Sequence, residues 1–214
     1  VKGLADLRKE YIQRSLNEQQ VDPNPLTQFQ IWLDQAIAAQ VPEPNAMTLA
    51  TATLEGSPSA RIVLLKQVDP QGFVFFTNYA SRKGQELAAN PQAALIFWWA
   101  ELERQVRVEG PITPVPTAES DAYFQSRPRG SQLGAWVSLQ SQVIPHRHML
   151  DQQLWDLKQQ YQDQIIPRPS TWGGYRLRPT TIEFWQGRPN RLHDRLRYYL
   201  LLENSAWRIE RLSP

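Results

Sequence analysis

The residues best equipped for chemistry lie in one run near the C-terminal end, Glu183-Phe184-Trp185-Gln186-Gly187-Arg188-Pro189-Asn190-Arg191-Leu192-His193-Asp194-Arg195. A β-type stretch ends at Trp185, turns through Gly187 and Pro189, and sets Arg191, His193 and Arg195 on alternate positions. An indole stacks, guanidinium groups pair with phosphate or ring oxygens, and an imidazole titrates near neutral pH. Together they suit a planar, anionic, aromatic ligand. An arginine-rich surface loop has the same composition, so this run decides nothing by itself.

Other segments ask for a similar ligand. Ser81-Arg82-Lys83-Gly84 places a hydroxyl and two cations at a helix N-terminus, where free N–H groups and the dipole favour an anion. Cations there oppose the dipole, and a bound anion would resolve the conflict; solvated basic side chains are the plain alternative. Arg61-Ile62-Val63-Leu64-Leu65-Lys66 is a strand with a cation at each end. Alternation sends Arg61 and Lys66 to opposite faces unless a bulge intervenes. In Arg104-Gln105-Val106-Arg107-Val108, the valines turn inward and Gln105 shares the other face with Arg107. Tyr123 and Arg127, four apart, share a helix face; with Ser131 they make a second phosphate clamp. No dinucleotide fingerprint, P-loop or Gly-x-Ser-x-Gly elbow occurs, and no His or carboxylate spacing completes a metal site.

Positioning these groups falls to a chain of 214 residues, 41% hydrophobic and 21% charged, the composition of one globular domain. A net charge of +2 argues against a bulk nucleic-acid binder, and the absence of cysteine excludes thiol chemistry and fits a reducing compartment. No apolar run reaches the roughly 20 residues of a membrane span, and the first 15 residues lack a signal peptide's apolar core, so a cytoplasmic location is expected.

Periodicity predicts a short helix over Leu4–Arg14 and a second from Asn24-Pro25 to about Gln40 with Phe29, Trp32, Leu33 and Ile37 on its apolar side. Strands follow over 47–54, 60–68, 73–77, 93–101 and 104–112, with a helix from Ser81 to Ala89 between the third and fourth. Helices are expected at 117–125, 132–137 and 145–162, and strands at 174–177, 180–185, 195–202 and 206–212. Hairpin-length connections suggest an antiparallel sheet or barrel completed by the C-terminal strands, hence one α+β domain spanning 1–214.

Taken together, Arg61 to Lys66, Phe76-Thr77 with Ser81-Arg82-Lys83, Glu103-Arg104-Gln105-Val106, Tyr123 to Arg129, Ser131 to Ser138, Ser170 to Gly174, Ile182 to Gly187, Arg191 to Arg195 and Trp207 to Leu212 resemble the pyridoxine/pyridoxamine 5′-phosphate oxidase family. The resemblance runs from about Leu7 to Pro214. It implies an antiparallel split β-barrel of the FMN-binding type with surrounding helices, and a homodimer with FMN at the subunit interface. A site shared between two chains would remove the conflict between Arg61 and Lys66.

For FMN the resemblance implies Arg61, Ile62, Val63, Leu64, Leu65, Lys66, Phe76, Thr77, Arg82, Lys83, Gln105, Gln140, Ser141, Trp185 and Arg195. For the substrate phosphate it implies Lys66, Tyr123, Arg127 and Ser131, and near the pyridine ring Arg191, Leu192 and His193. Arg191 and His193 are the expected catalytic pair. A mobile N-terminal segment within residues 1–20, through Arg8, Lys9, Glu10 and Tyr11, would fold over the substrate, and strands within 174–214 would complete the site. The implied reaction oxidises pyridoxamine or pyridoxine 5′-phosphate with O2 to pyridoxal 5′-phosphate and hydrogen peroxide, with ammonia from the amine. Two other readings are another split-barrel flavin reductase or non-catalytic FMN carrier, and a nucleic-acid module built on Arg and Trp. The first would not need Tyr123, Arg127 and Ser131, and the second sits poorly with the low net charge.

Overall fold

The computed structural model describes residues 3–4, 10–201, 203 and 205–214. Helix α1 (Pro25–Ala38) starts where the sequence punctuates it: the Asn24 side chain accepts from the Leu26 N–H, and Pro25 occupies the first turn. Its buried stripe is Gln28, Phe29, Trp32 and Ala36; Ile37, expected on that side, is 55% exposed. Phe29 meets Phe73 and Phe97 at 4.9 Å, and Trp32 meets Phe184 at 5.1 Å, so α1 plugs the main core.

The strands are β1 (Ala46–Ala52), β2 (Pro58–Leu64), β3 (Gln67–Asp69), β4 (Gly72–Asn78), β5 (Gln92–Trp99), β6 (Arg104–Pro114), β7 (Trp172–Leu177), β8 (Thr181–Gln186), β9 (Asp194–Leu201) and β10 (Ala206–Arg211). They form one antiparallel sheet in the order β10-β9-β8-β6-β5-β1-β2, with β7, β4 and β3 branching from β6. β6 makes the branch: residues 104–109 pair with β8, and 112–114 pair with β7. Gly110 sits between, where an added Cβ would fall 2.1 Å from the Arg178 carbonyl oxygen. Only glycine admits that approach, and the sheet curls there into the expected split barrel. Helices α2 (Arg82–Ala89), α3 (Thr117–Ser126), α4 (Arg129–Val137) and α5 (His148–Gln160) surround it. A second, smaller core of Phe124, Leu133, Ile166 and Trp172 lies beneath α3 to α5. Among the described residues, no helix is long and apolar enough to cross a membrane.

Two expectations fail for the same reason. The span 60–68 is not one strand, because Leu65 N–H donates to Asn45 O and Lys66 N–H to Val74 O, so the chain changes partners between β2 and β3. Residues 10–16 are not helical. Ile12 and Gln13 N–H donate to the Glu103 carboxylate, and Leu16 N–H to Asp194. Backbone donors committed to distant carboxylates cannot close helical turns. Arg8 and Lys9 lie outside the described residues.

Candidate functional site

The predicted residues gather into two groups. The first lines an open cleft of about 460 Å³ and contains Ile62, Val63, Leu64, Lys66, Phe76, Thr77, Lys83, Tyr123, Arg127, Ser131 and Gln140. Lys66 enters this cleft with Ile62 and Leu64, the residues of its own parity, and Arg61 does not, so the two cations serve different groups as alternation predicts. Asn78, Pro128 and Trp172 line it too, although sequence reasoning gave them no role. Trp172 stood within one of the family-like runs, so a signal for it existed.

Gln140 organises one end. Its Oε1 accepts from Lys83 Nζ at 2.8 Å and from Thr77 Oγ1 at 3.3 Å. Lys83 is 8% exposed and, among the described residues, forms no ion pair within 4 Å. Burial, then the charge of Arg61, pulls its pKa below the usual lysine value. At the other end the Arg127 guanidinium lies 4.5 Å over the Trp172 ring. Phe76 and Tyr123 stack at 4.0 Å beside it. Arg127 Nη1 is buried with no hydrogen-bond partner, and burial depresses the pKa of this guanidinium. An unpaired buried cation is costly, and an oxyanion is the partner that removes the cost.

Arg61 and Arg82 are not in this lining. Both bind Glu86, Arg82 Nε at 2.8 Å and Arg61 Nη2 at 3.3 Å. Burial would raise the Glu86 pKa, but hydrogen bonds from Ser59, Thr51, Arg82 and Arg61 outweigh it and bring it down to about 2. The dipole conflict at α2 is thus settled partly within the chain, by Arg82 reaching Glu86 one turn on. Leu65 points into the main core, and Ser141 follows Gln140 in left-handed backbone (φ 71°) outside the cleft lining.

The second group lies across the sheet. Trp185 on β8 stands opposite Gln105 on β6 and Arg195 on β9, and Gln105 stands opposite Trp98 on β5. His193 is 4.6 Å from Trp185 by ring centroid. Its Nδ1 accepts from the Arg188 N–H at 3.1 Å, which leaves the proton of the neutral ring on Nε2. Burial, then the Arg191 charge, lowers the His193 pKa. Arg195 is held bidentately by Glu183, at 2.8 and 3.2 Å, which raises its pKa. Asn190 and Arg191 both take left-handed backbone (φ 57° and 61°), strained for residues with a Cβ. Arg191 and Leu192 face solvent. Of the N-terminal segment, Tyr11 packs edge-on against Trp185 at 5.7 Å and His193 at 5.8 Å; Glu10 is exposed.

Within one chain these groups do not meet. β8 is four places from β2 in the sheet, about 19 Å at the usual strand spacing. Both border the same sheet face, where Ile62, Thr48, Ile96, Arg107, Glu183 and Arg197 follow one another across the register. Among the described residues, no helix covers it: Ile62 is 65% and Trp98 48% exposed.

Comparison with known proteins bears on both groups. Residues 33–161 match the family model described as pyridoxamine 5′-phosphate oxidase, and residues 172–214 the one described as pyridoxine 5′-phosphate oxidase C-terminal dimerisation region. A pyridoxine/pyridoxamine 5′-phosphate oxidase of Cyanothece sp. is 64% identical over 212 residues, covering 99% of each chain. The protein of the same name from Synechocystis sp. is 59% identical, covering 99% of this chain and 98% of that one. The crystal structure of PhzG from Burkholderia lata 383, in complex with tetrahydrophenazine-1-carboxylic acid, superposes with a TM-score of 0.89 at 32% identity, covering 95% of this chain and 99% of that one. A pyridoxamine 5′-phosphate oxidase-related, FMN-binding protein of Nostoc punctiforme shares the fold with a TM-score of 0.69 at 15% identity, covering 87% of this chain and 97% of that one.

Proposed function

The chain belongs to the pyridoxamine 5′-phosphate oxidase family, and we propose that its cleft is where pyridoxamine or pyridoxine 5′-phosphate is oxidised to pyridoxal 5′-phosphate. FMN is the cofactor; when bound, it takes the electron pair leaving the substrate and passes it to O2, giving hydrogen peroxide. The observation that carries this reading is Arg127, a half-buried guanidinium whose Nη1 is buried and unused, in a cleft it shares with Ser131, Tyr123 and Lys66. Those four hold the substrate phosphate. Lys83, Thr77 and Gln140, joined by their own hydrogen bonds, bind FMN with the backbone of Ile62 to Leu64. Lys83, with no ion pair among the described residues, fits a phosphorylated cofactor.

Residues 172–214 form the family's dimerisation region, so the partner is a second copy of this chain. We place FMN between the two copies. The separation of the groups supports this, since a cleft with phosphate clamps but no His193 needs a partner to bring one. There Arg191 covers the substrate ring, and neutral His193, its Nδ1 occupied, presents Nε2 to the substituent being oxidised. Trp185 and Gln105 border the flavin, and Arg195 lends it positive charge through a position fixed by Glu183. The cytoplasm is the proposed location, in keeping with a cysteine-free sequence.

Purified protein should be yellow and should produce peroxide on addition of pyridoxamine 5′-phosphate, but not of pyridoxamine without its phosphate. A colourless protein that takes up no FMN would sink the reading; a yellow one without peroxide would leave a carrier.

A further inference from the structure

Glu103 joins two distant parts of the chain. Its carboxylate Oε2 accepts from Ile12 N–H at 3.0 Å and Gln13 N–H at 3.3 Å. Its own carbonyl accepts from Gly187 N–H at 2.8 Å and Gln186 Nε2 at 3.2 Å. It is 1% exposed and left-handed (φ 54°, ψ 43°), ending the short turn Ala100–Leu102. Glycine suits that backbone better, because a Cβ there is strained. A glutamate at this place is therefore explained by its side chain and not by the turn.

The side chain fixes where Tyr11 sits. Ile12 and Gln13 follow Tyr11 directly, so anchoring their N–H groups sets its position. The Tyr11 ring then lies over Gly187, where an added Cβ would come within 2.6 Å of the ring, and edge-on to Trp185 and His193. Leu16 N–H on Asp194 and Gln13 Nε2 on the Glu101 carbonyl fasten the segment further along.

We propose that Glu103 is a positioning residue for substrate binding, a buried latch whose carboxylate accepts from the Ile12 and Gln13 N–H groups and so holds Tyr11 over the Trp185–His193 pair. The latch acts through Tyr11 and touches no reactant, and it rests on the site reading above only for the choice of substrate. Glu103→Gly tests it, since glycine keeps the turn and removes the carboxylate; Glu103→Gln keeps an acceptor.

Amide hydrogen exchange and kinetics on the FMN-loaded dimer provide the two readouts. In Glu103→Gly, exchange at Ile12 and Gln13 should quicken by roughly tenfold or more, and KM for pyridoxamine 5′-phosphate should rise by a similar factor with a smaller change in kcat. Glu103→Gln should recover part of both effects. Tyr11→Ala should show the same KM rise, with no further rise when combined with Glu103→Gly. Wild-type exchange and KM in Glu103→Gly would overturn the proposal, as would additive KM effects in the double variant. If Glu103→Gly does not fold, an unchanged KM in Tyr11→Ala would equally overturn it. A wild-type enzyme inert toward the substrate would defeat the proposed activity instead, while exchange would still judge the latch.

Discussion

Arg127 has a stacking partner, an unused donor and a pKa held down by burial. Its proposed task is to bind charge already present in the ground state. Arg127→Ala should therefore raise KM for pyridoxamine 5′-phosphate roughly tenfold or more and leave kcat nearly unchanged, measured by steady-state peroxide release. His193 differs. Its depressed pKa keeps the ring neutral below the usual histidine range, so the acid limb of kcat against pH should fall below about 6.5. Burial is the larger cause and the Arg191 charge the smaller. Arg191→Ala should therefore move the surviving limb part of the way upward while lowering kcat, with FMN content unchanged. A limb that stays fixed would separate the two residues.

At the scale of elements, α2 depends on Glu86, which ties Arg61 on β2 to Arg82. A carboxylate held near 2 contributes stability that is full above the ordinary carboxylate pKa and is lost as pH falls toward 2. Glu86→Gln should flatten the acid side of the stability curve, read by thermal melts between pH 5 and 3. Gly110→Ala should destabilise by about 1–3 kcal/mol, because a Cβ at the β6 branch meets backbone that cannot move aside. These elements also mark what the sequence made legible. Asn24-Pro25 and Ser81 are local punctuation, and each starts a helix where expected. The strand break at Lys66 and the extended backbone of residues 10–16 were not legible, because their hydrogen bonds go to residues far along the chain. Glu86 and Glu183 escaped for a related reason. Cations advertise a ligand by type, whereas the acids that aim them are known only once the strands pair.

Over the whole molecule, one sheet face carries apolar side chains toward β2 and charged ones toward β9, and it is left exposed at Ile62 and Trp98 among the described residues. Ile96, on that face but outside the cleft, is the residue to change. Ile96→Arg should weaken the dimer, seen as a shift toward monomer on size exclusion, and should lose FMN with it. The central claim is that each site takes its phosphate clamp from one copy and Arg191 with His193 from the other. It is tested most directly by co-assembling an Arg127→Ala chain with an Arg191→Ala/His193→Ala chain and assaying peroxide at a pyridoxamine 5′-phosphate concentration well below the wild-type KM, where the raised KM of Arg127→Ala leaves that parent nearly inactive. Random pairing in a symmetric dimer leaves half the dimers hybrid, each with one intact site, so activity should recover to roughly a quarter of wild type. A mixture no more active than its two parents, with hybrid dimers confirmed by mass, would contradict the shared site.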